Sequence, residues 1–594
     1  MLAPWLAVAV ACAPPQRPPT GAATQSASSA GLARLAEEFW LQHLAADPIE
    51  ATLLGYPRYG ALMPDESAAG RETHRLRLRA LRARLDAETP AASLRPADRL
   101  TRDLLAGELD RALAIADCRL EEWAVDPREG PQVAYLDLAG LQGVNTPEDR
   151  AALLTRWRAM SRAIDQRIEN LRRGLAAGKT AARSEVERVA RQLDELLATP
   201  DPAWPLVAPA QRANIADPAE RQRFHDELVR AVSDGIRPAF TRYRALVRDG
   251  ILPRARGDAD VGIGHLPGGA ACYTALAMVH TSLALEPGAV HATGLRELAR
   301  IRAEMEALGP AAVGAATFPE IQRKLRDPAP ARFFRTREDV EASARDTLAR
   351  ATAAMPRFLK RIPRTPCVVK RIEAHEEKDS PIAYYRQPAI DGSRPGTYEV
   401  NTYDPTSRPR FEAEALAFHE AIPGHHVQIA LAQELGDVPE FRKHLGVTAF
   451  VEGWGLYAER LADELGLYSG PLTQLGRLSL ESWRAARLVV DTGIHALGWS
   501  RAQAVAFLHD NTLIAQNNIE TEVDRYIGWP GQALAYKVGE LEILRLREDA
   551  QRRLGAAFDL RGFHDRVLGS GAVSLPVLDA AVDDWIATQT PTVP

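Results

Sequence analysis

Only four of the 594 residues are cysteine, and they stand far apart, at positions 12, 118, 272 and 367. No Cys-x-x-Cys spacing occurs, so neither a disulfide framework nor a cysteine zinc site is expected. Cys118, Cys272 and Cys367 read as small buried hydrophobes. Beyond the first dozen residues no segment approaches the roughly 18 consecutive apolar residues of a membrane span. Excess charge of one sign is also lacking. A net charge of -5 and a pI near 6.3 leave no basic face for nucleic acid. The local basic run "RETHRLRLRALRARL" (Arg71 to Leu85) is interleaved with leucine, as on a solvated helix face. The glycine-rich stretch Arg254 to Tyr273 holds neither Gly-x-Gly-x-x-Gly nor Gly-Lys-Ser/Thr, and no Gly-x-Ser-x-Gly elbow appears in the chain. Those absences set aside phosphate-loop and serine-hydrolase chemistry.

What is present is ordinary globular composition, 46% hydrophobic and 25% charged, in a chain long enough for more than one lobe. Residues 1–12, "MLAPWLAVAVAC", form a short apolar run ending in small residues and Cys12. Residues 13–30 are rich in Pro, Ser, Thr, Ala and Gly and cannot bury a core. Signal segment, cysteine and tether is the layout of an exported bacterial lipoprotein, with Cys12 as a candidate membrane anchor. Two features depart from it: no Lys or Arg precedes the run, and Ala9 sits where leucine is commoner. From Gly31 the spacing of apolar residues is helical for most of the length, as in "RAALLTRWRAMSRAIDQRIENLRRGLAAG", which closes at Gly178. A further pair of helices is expected over "RQRFHDELVRAVSDGIRPAFTRYRALVRDGILPRA", the second starting near Pro238. The glycine-rich stretch Arg254 to Tyr273 marks a seam between an N-terminal helical region, 31–253, and a second region, 254–594. Within the second, "CVVKRIE", "IAYYRQP" and "GTYEVNTY" are β-prone and predict a small sheet at about 368–403. The expected class is therefore mostly α, with one small β insert.

That sheet leads into "AFHEAIPGHHVQ" (Ala417 to Gln428). Two histidines four apart on a helix lie about 40° round the axis and about 6 Å along it, close enough to share an ion. His419 and His426 are separated by about 10 Å of rise, and His425 falls about 240° round from His419. Zinc holds each imidazole nitrogen at about 2.0–2.1 Å, so a straight helix brings neither pair together. Pro423 cannot bond the carbonyl of His419 and disfavours α geometry at Ile422, while Gly424 takes up the remaining torsion. The segment reads as His-Glu-x-x-His with Pro-Gly looped out, which returns His425 to the second ligand position. His426 then turns towards substrate or supports the ligands. The insertion leaves the choice between the two open.

A catalytic zinc has three protein ligands and a water. The next strongly placed acid is Glu452, in the apolar helix "VTAFVEGWGLYAERLADELG". A lone carboxylate there must be paired or metal-bound, with Arg487 the alternative partner. Glu459, seven residues on, lies on nearly the same face and can orient a ligand histidine. Glu420 is placed as general base, taking a proton from water and passing it to a leaving amine. The reaction class is amide hydrolysis.

"HEAIPGHH", with "YYRQPAIDGSRPGTYEVNTYDP" before it and "VEGWGLYAE" after it, resembles the bacterial domain-of-unknown-function family 885. The likeness extends to "DPIEATLLGYPRYG", "LPGGAACYTALAMVHT" and "RYIGWPGQALAYKVGE", and so covers nearly everything from about residue 33. It implies a helical metallopeptidase-like fold with a central cleft, distantly similar to thimet oligopeptidase, angiotensin-converting enzyme and Taq carboxypeptidase. On that likeness His419, His425 and Glu452 hold one zinc ion per chain and Glu420 is the base. It further implies a tyrosine for the oxyanion, Tyr526 or Tyr536, and a cation for a substrate carboxylate: Lys537, Arg525 or Arg487. The strand Thr397 to Tyr403, with Tyr398, offers an edge to an extended peptide, or merely packs in its sheet. The leading expectation is an exported zinc peptidase. The alternatives are an amidohydrolase acting on a non-peptide conjugate and a binding lipoprotein without catalysis.

Overall fold

The computed structural model describes residues 27–326, 332–374, 377–378, 380–389 and 394–589. The expected signal segment and Cys12 lie outside these residues. The first described helix, Ala27–Ala46, already begins inside the stretch expected to be a tether, so Ala27 to Ala30 are helical. Helices dominate from there, and the mostly-α class is what the structure has. Local chemistry explains many boundaries. Pro147–Ala176 opens on a reciprocal capping box between Thr146 and Asp149 and is followed by Gly178 at φ +75°. The two helices expected around Pro238 are instead one continuous run. Pro218–Ala231 passes through a π-turn at Val232–Ile236 into Arg237–Ala245. A π-turn accommodates a residue without an N–H where a regular α-turn would lose a hydrogen bond.

Three large apolar cores lie under these helices. One, over residues 125–255, belongs to the N-terminal region. Leu32, Leu35, Leu81 and Leu105, however, share a core with Phe418, Trp454 and Leu546. Helices between Leu32 and Leu109 therefore pack with the C-terminal helices, and a division at 253/254 cuts through that core. A third core joins Ile301 and Met305 to Val489, Val490 and Tyr526. It seats the helix Pro471–His495, which is buried over nearly all its length.

The small sheet falls where the β-prone segments predict it: β1 (Cys367–Arg371), β2 (Ala383–Arg386) and β3 (Gly396–Val400). Its order is β1-β3-β2, with β1 parallel and β2 antiparallel to β3. Tyr398 pairs with Val369 on one side and Tyr385 on the other. The strand expected to offer a free edge is thus central and has none. β2 is an edge strand, and the Tyr385 N–H points out of the sheet to Glu420 Oε2 at 3.1 Å.

Candidate metal centre

The helix Arg410–Glu420 stops immediately after the His-Glu pair, and a second helix, His425–Gln433, starts at the next histidine. Between them Ala421 leaves helical geometry and the Ile422–Pro423 bond is cis. The break is closed internally, by Gly424 N–H to Phe418 O at 2.9 Å and His426 N–H to Ala421 O at 3.0 Å. Gly424 is required for room: a Cβ there would stand 1.8 Å from His419 O. Looping out Pro-Gly thus folds the chain back so that the His419 and His425 rings meet edge to face, centroids 4.7 Å apart.

Glu452, on the helix Thr448–Glu464, completes the cluster. Its Oε2 lies 3.4 Å from His419 Nε2 and 3.7 Å from His425 Nε2. Two ligands on a tetrahedral ion at about 2.0–2.1 Å each stand roughly 3.3 Å apart, so these spacings fit such an ion with slight contraction. One ligating atom each from His419, Glu420 and His425 also lies within 4.8 Å of the others. Arg487, the alternative partner for Glu452, is paired instead with Glu522. His419 Nδ1 is 2.8 Å from Glu459 Oε1, which fixes the ring and turns Nε2 into the cluster. Gly455 lets the next helix lie flat against that ring; a Cβ would come within 2.7 Å of it. Gln428, which no sequence pattern singles out, sets its side-chain amide 2.7 Å from His425 Nδ1 and 3.0 Å from Val451 O.

The electrostatics follow from this crowding. Burial opposes a charge on His419, but Glu452 and Glu459 outweigh it and raise the imidazole to about 9. Burial and the His419 charge depress His425 to about 4. Glu452 is held down to about 2, its burial overcome by the two histidines. Burial, with Glu452 nearby, lifts the Glu420 carboxyl to about 7 although His419 and the Tyr385 N–H oppose it.

Several other expected site residues are placed differently. His426 is 1% exposed, with Nδ1 2.9 Å from Tyr385 Oη and Nε2 3.1 Å from Thr365 O. It ties β2 to the motif instead of facing substrate. Lys537 is fully buried among Glu297, Glu481 and Glu540. Arg525 is engaged by Glu522 and Gln532. Tyr526 Oη accepts from Trp483 and Arg487 and donates to Glu522, which uses up the hydroxyl. Tyr536 differs: its hydroxyl has no hydrogen-bond partner among the described residues, and Glu452 is close enough to help push it above its ordinary range, after burial. Tyr398 is buried and central in the sheet, where it packs. Arg484, which the sequence does not distinguish from other helical arginines, lies close enough for its charge to lower Glu420.

Two of the cysteines expected to be free hydrophobes are joined. Cys118 and Cys272 form a disulfide between the helices Pro96–Cys118 and Gly269–Thr281, and only Cys367 is free among the described residues.

The family model "Bacterial protein of unknown function (DUF885)" matches residues 48–582. The chain belongs to this family. No curated protein matches it. Among solved structures, it is similar to a protein from Colwellia psychrerythraea described as a "putative lipoprotein", at 27% identity and TM-score 0.87. That match covers 94% of this chain and 100% of the other. A "putative lipoprotein of unknown function" from Shewanella oneidensis shares the fold at 18% identity and TM-score 0.73, covering 92% and 99%. Among the described residues no helix is long and apolar enough to cross a membrane.

Proposed function

We propose that this member of the family is a zinc-dependent hydrolase of peptide bonds, exported from the cytoplasm. The observation that carries the reading is the convergence of His419 Nε2 and His425 Nε2 on Glu452 Oε2, with the Glu420 carboxylate beside them. His419, His425 and Glu452 would hold the ion, and Glu459 keeps the first histidine in its ligating tautomer. A zinc ion bound there supplies Lewis acidity, polarising a carbonyl and lowering the pKa of a water. Glu420 Oε2 is held by the Tyr385 N–H, which leaves Oε1 to accept a proton from water and deliver it to the departing amine nitrogen. Tyr536, with its hydroxyl unengaged, is the candidate donor to the developing oxyanion, in place of Tyr526.

Substrate direction is suggested by β2. Its outer edge lies against Glu420, so an extended peptide pairing along it would carry a carbonyl past the base. Export is supported by the disulfide, which persists in oxidising compartments, and by the likeness to the Colwellia protein described as a "putative lipoprotein". A binding lipoprotein would have no need of a base beside the ligand histidine.

Metal analysis of the purified protein is expected to return about one zinc per chain, lost in His419→Ala. Glu420→Gln is expected to retain the metal while hydrolysis of a peptide library falls by about 10²–10⁴-fold. Unchanged turnover in that variant rules out Glu420 as the base.

A further inference from the structure

The stretch "DPIEATLLGYPRYG" (Asp47 to Gly60) takes no part in the candidate centre. It helps instead to roof Arg156, which is fully buried. The guanidinium of Arg156 donates through Nε to Leu62 O, through Nη1 to Thr52 Oγ1 and Gln142 Oε1, and through Nη2 to Pro48 O and Tyr59 O, at 2.6–3.0 Å. Gln142 donates in turn to Gly60 O at 2.8 Å. Three segments thus meet over one cation: the end of the helix Pro48–Leu53, the turn that follows it, and the end of the helix Pro131–Leu141. Each also carries a leucine turned to solvent. Leu53 is 56% exposed, Leu62 46% and Leu141 50%. Leu41, at 38%, adjoins them through Tyr59, whose hydroxyl lies 3.5 Å from Leu41 O. Four of the ten exposed large hydrophobic side chains among the described residues are therefore gathered on one face.

Leucines exposed singly are common, whereas an exposed apolar cluster marks a contact surface. Charge is nearly absent from this one. Leu53 to Met63 and Ala139 to Asn145 together hold a single charged residue, Arg58, in a chain that is 25% charged. The acids flanking the first stretch are engaged, Glu50 by His43 at 3.0 Å and Asp65 by the Ser67 N–H at 3.1 Å. Arg58 is exposed and lies over the Tyr59 ring. Leucines around one long-stemmed cation suit a surface that sinks shallowly into lipid while the guanidinium stays among the headgroups. Chain length points to the same occupant. Ala27 follows Cys12 by 15 residues, a reach of at most about 50 Å. Leu41 stands 14 residues along the first helix, about 21 Å from its start. A bilayer holding Cys12 is within reach of this face.

We propose that the face formed by Leu41, Leu53, Leu62 and Leu141, with Arg58 among them, rests on the surface of a lipid bilayer, where the N-terminal tether holds it. The inference rests on the export reading given above and concerns where the protein sits, not what it cleaves.

The test uses the full chain with Cys367→Ser, coupled through the Cys12 thiol to a maleimide lipid in vesicles of phosphatidylethanolamine and phosphatidylglycerol. Coupling supplies the tether whether or not cells lipidate Cys12. Leu53, Leu141 or Leu295 is replaced in turn by the photoreactive benzoylphenylalanine. Leu295 is the control, 45% exposed on the helix Pro287–Val313, which packs in the third core. Lipid adducts at 53 and 141, counted by mass spectrometry, are expected to exceed those at 295 by about tenfold. Adding Leu62→Asp is expected to bring the yield at 53 down to the control level. Equal adducts at all three positions, or none at 53 and 141, overturn the proposal. Cross-linked dimers in place of lipid adducts overturn it too and assign the face to a second copy of this chain. Adducts at 53 and 141 in a protein whose Cys12 is found unlipidated in cells would keep the lipid-facing surface and end the anchor. A lipidated Cys12 without adducts would do the reverse. Peptide turnover does not enter the test, so the hydrolase reading stands or falls separately.

Discussion

Gly455→Ala is a single-methyl test of whether the cluster is a metal centre. The added Cβ would meet three atoms of the His419 ring at 2.7, 2.8 and 3.0 Å. Ordinary carbon contacts lie near 3.5–4.0 Å, so the ring has to retreat by roughly 0.7–1 Å. It has little freedom to do so, being 2% exposed and tied at Nδ1 to Glu459. Metal–ligand distances tolerate only about 0.2 Å. The displaced Nε2 therefore leaves bonding range, and an expected loss of at least about 100-fold in zinc affinity follows from removing one of three ligands. Helix stability should work the other way, because alanine is favoured over glycine inside a helix by about 1 kcal/mol. The metal-free variant should thus unfold within a few degrees of the wild type while failing a competition against a chromophoric zinc chelator. Zinc affinity equal to wild type, with the apo protein still folded, would mean that His419 Nε2 holds no metal.

Three further perturbations probe the surroundings. Glu459→Gln removes the anion behind His419 and should weaken zinc binding by about 10- to 100-fold, read by the same competition; no change would make Glu459 a packing residue only. Replacing Cys118 and Cys272 by serine opens a loop of 154 residues, for which chain entropy gives an upper estimate of about 5 kcal/mol, measured by urea unfolding. Identical midpoints in oxidised wild type and the serine variant would argue that the bridge does not form in solution. His564, buried and bonded to Phe358 O and Tyr457 Oη, is depressed to about 3 chiefly by burial. The unfolded chain binds its proton below about 6.5 while the folded chain does not, so this histidine erodes stability as pH falls from about 6.5 towards 3. His564→Gln should therefore be less stable than wild type at pH 7.5, with the deficit shrinking towards pH 5. A constant deficit would place the titration elsewhere.

What can be read from the sequence is what depends on neighbours along the chain. Helical spacing, the β-prone segments before the motif and the effect of Pro423-Gly424 on the next histidine are all local, and the structure reproduces each of them. Glu452 is legible for a related reason: an acid among Phe450, Val451, Trp454 and Leu456 needs a partner whatever the fold, and His419 is a partner the motif already supplies. The cations and tyrosines of the later helices offer no such handle. Whether Lys537 faces a ligand or lies buried is decided by Glu297 and Glu481, 240 and 56 positions away, and no local pattern announces those pairs. Cys118 and Cys272 meet across a separation of 154 for the same reason. The free edge of the sheet is hidden from the sequence because strand order is a tertiary property, and β3 also pairs with a strand that precedes β2.

Arg484 shows the limit most clearly. In sequence it is one of many arginines on amphipathic helices, and nothing nearby separates it from a solvated one. Its meaning comes from contacts it fails to make, which can be counted only once the surrounding carboxylates have been assigned to other cations. Ion pairing in this chain is thus a process of elimination run by the fold. Single guanidinium nitrogens are left over elsewhere, as at Nε of Arg256 and Arg442, but both of those groups bond backbone carbonyls through their other nitrogens. Around Arg484 two remainders lie together, its own guanidinium and Nη1 of Arg487, both stacked on Trp483 and both near the ring of Tyr536. The same reasoning applies to Arg167, whose Nε is buried without a partner while Tyr135 and Tyr243, with unpartnered hydroxyls of their own, and the charges of Glu66 and Asp126 act on it: only the assembled fold shows which guanidinium groups are left over.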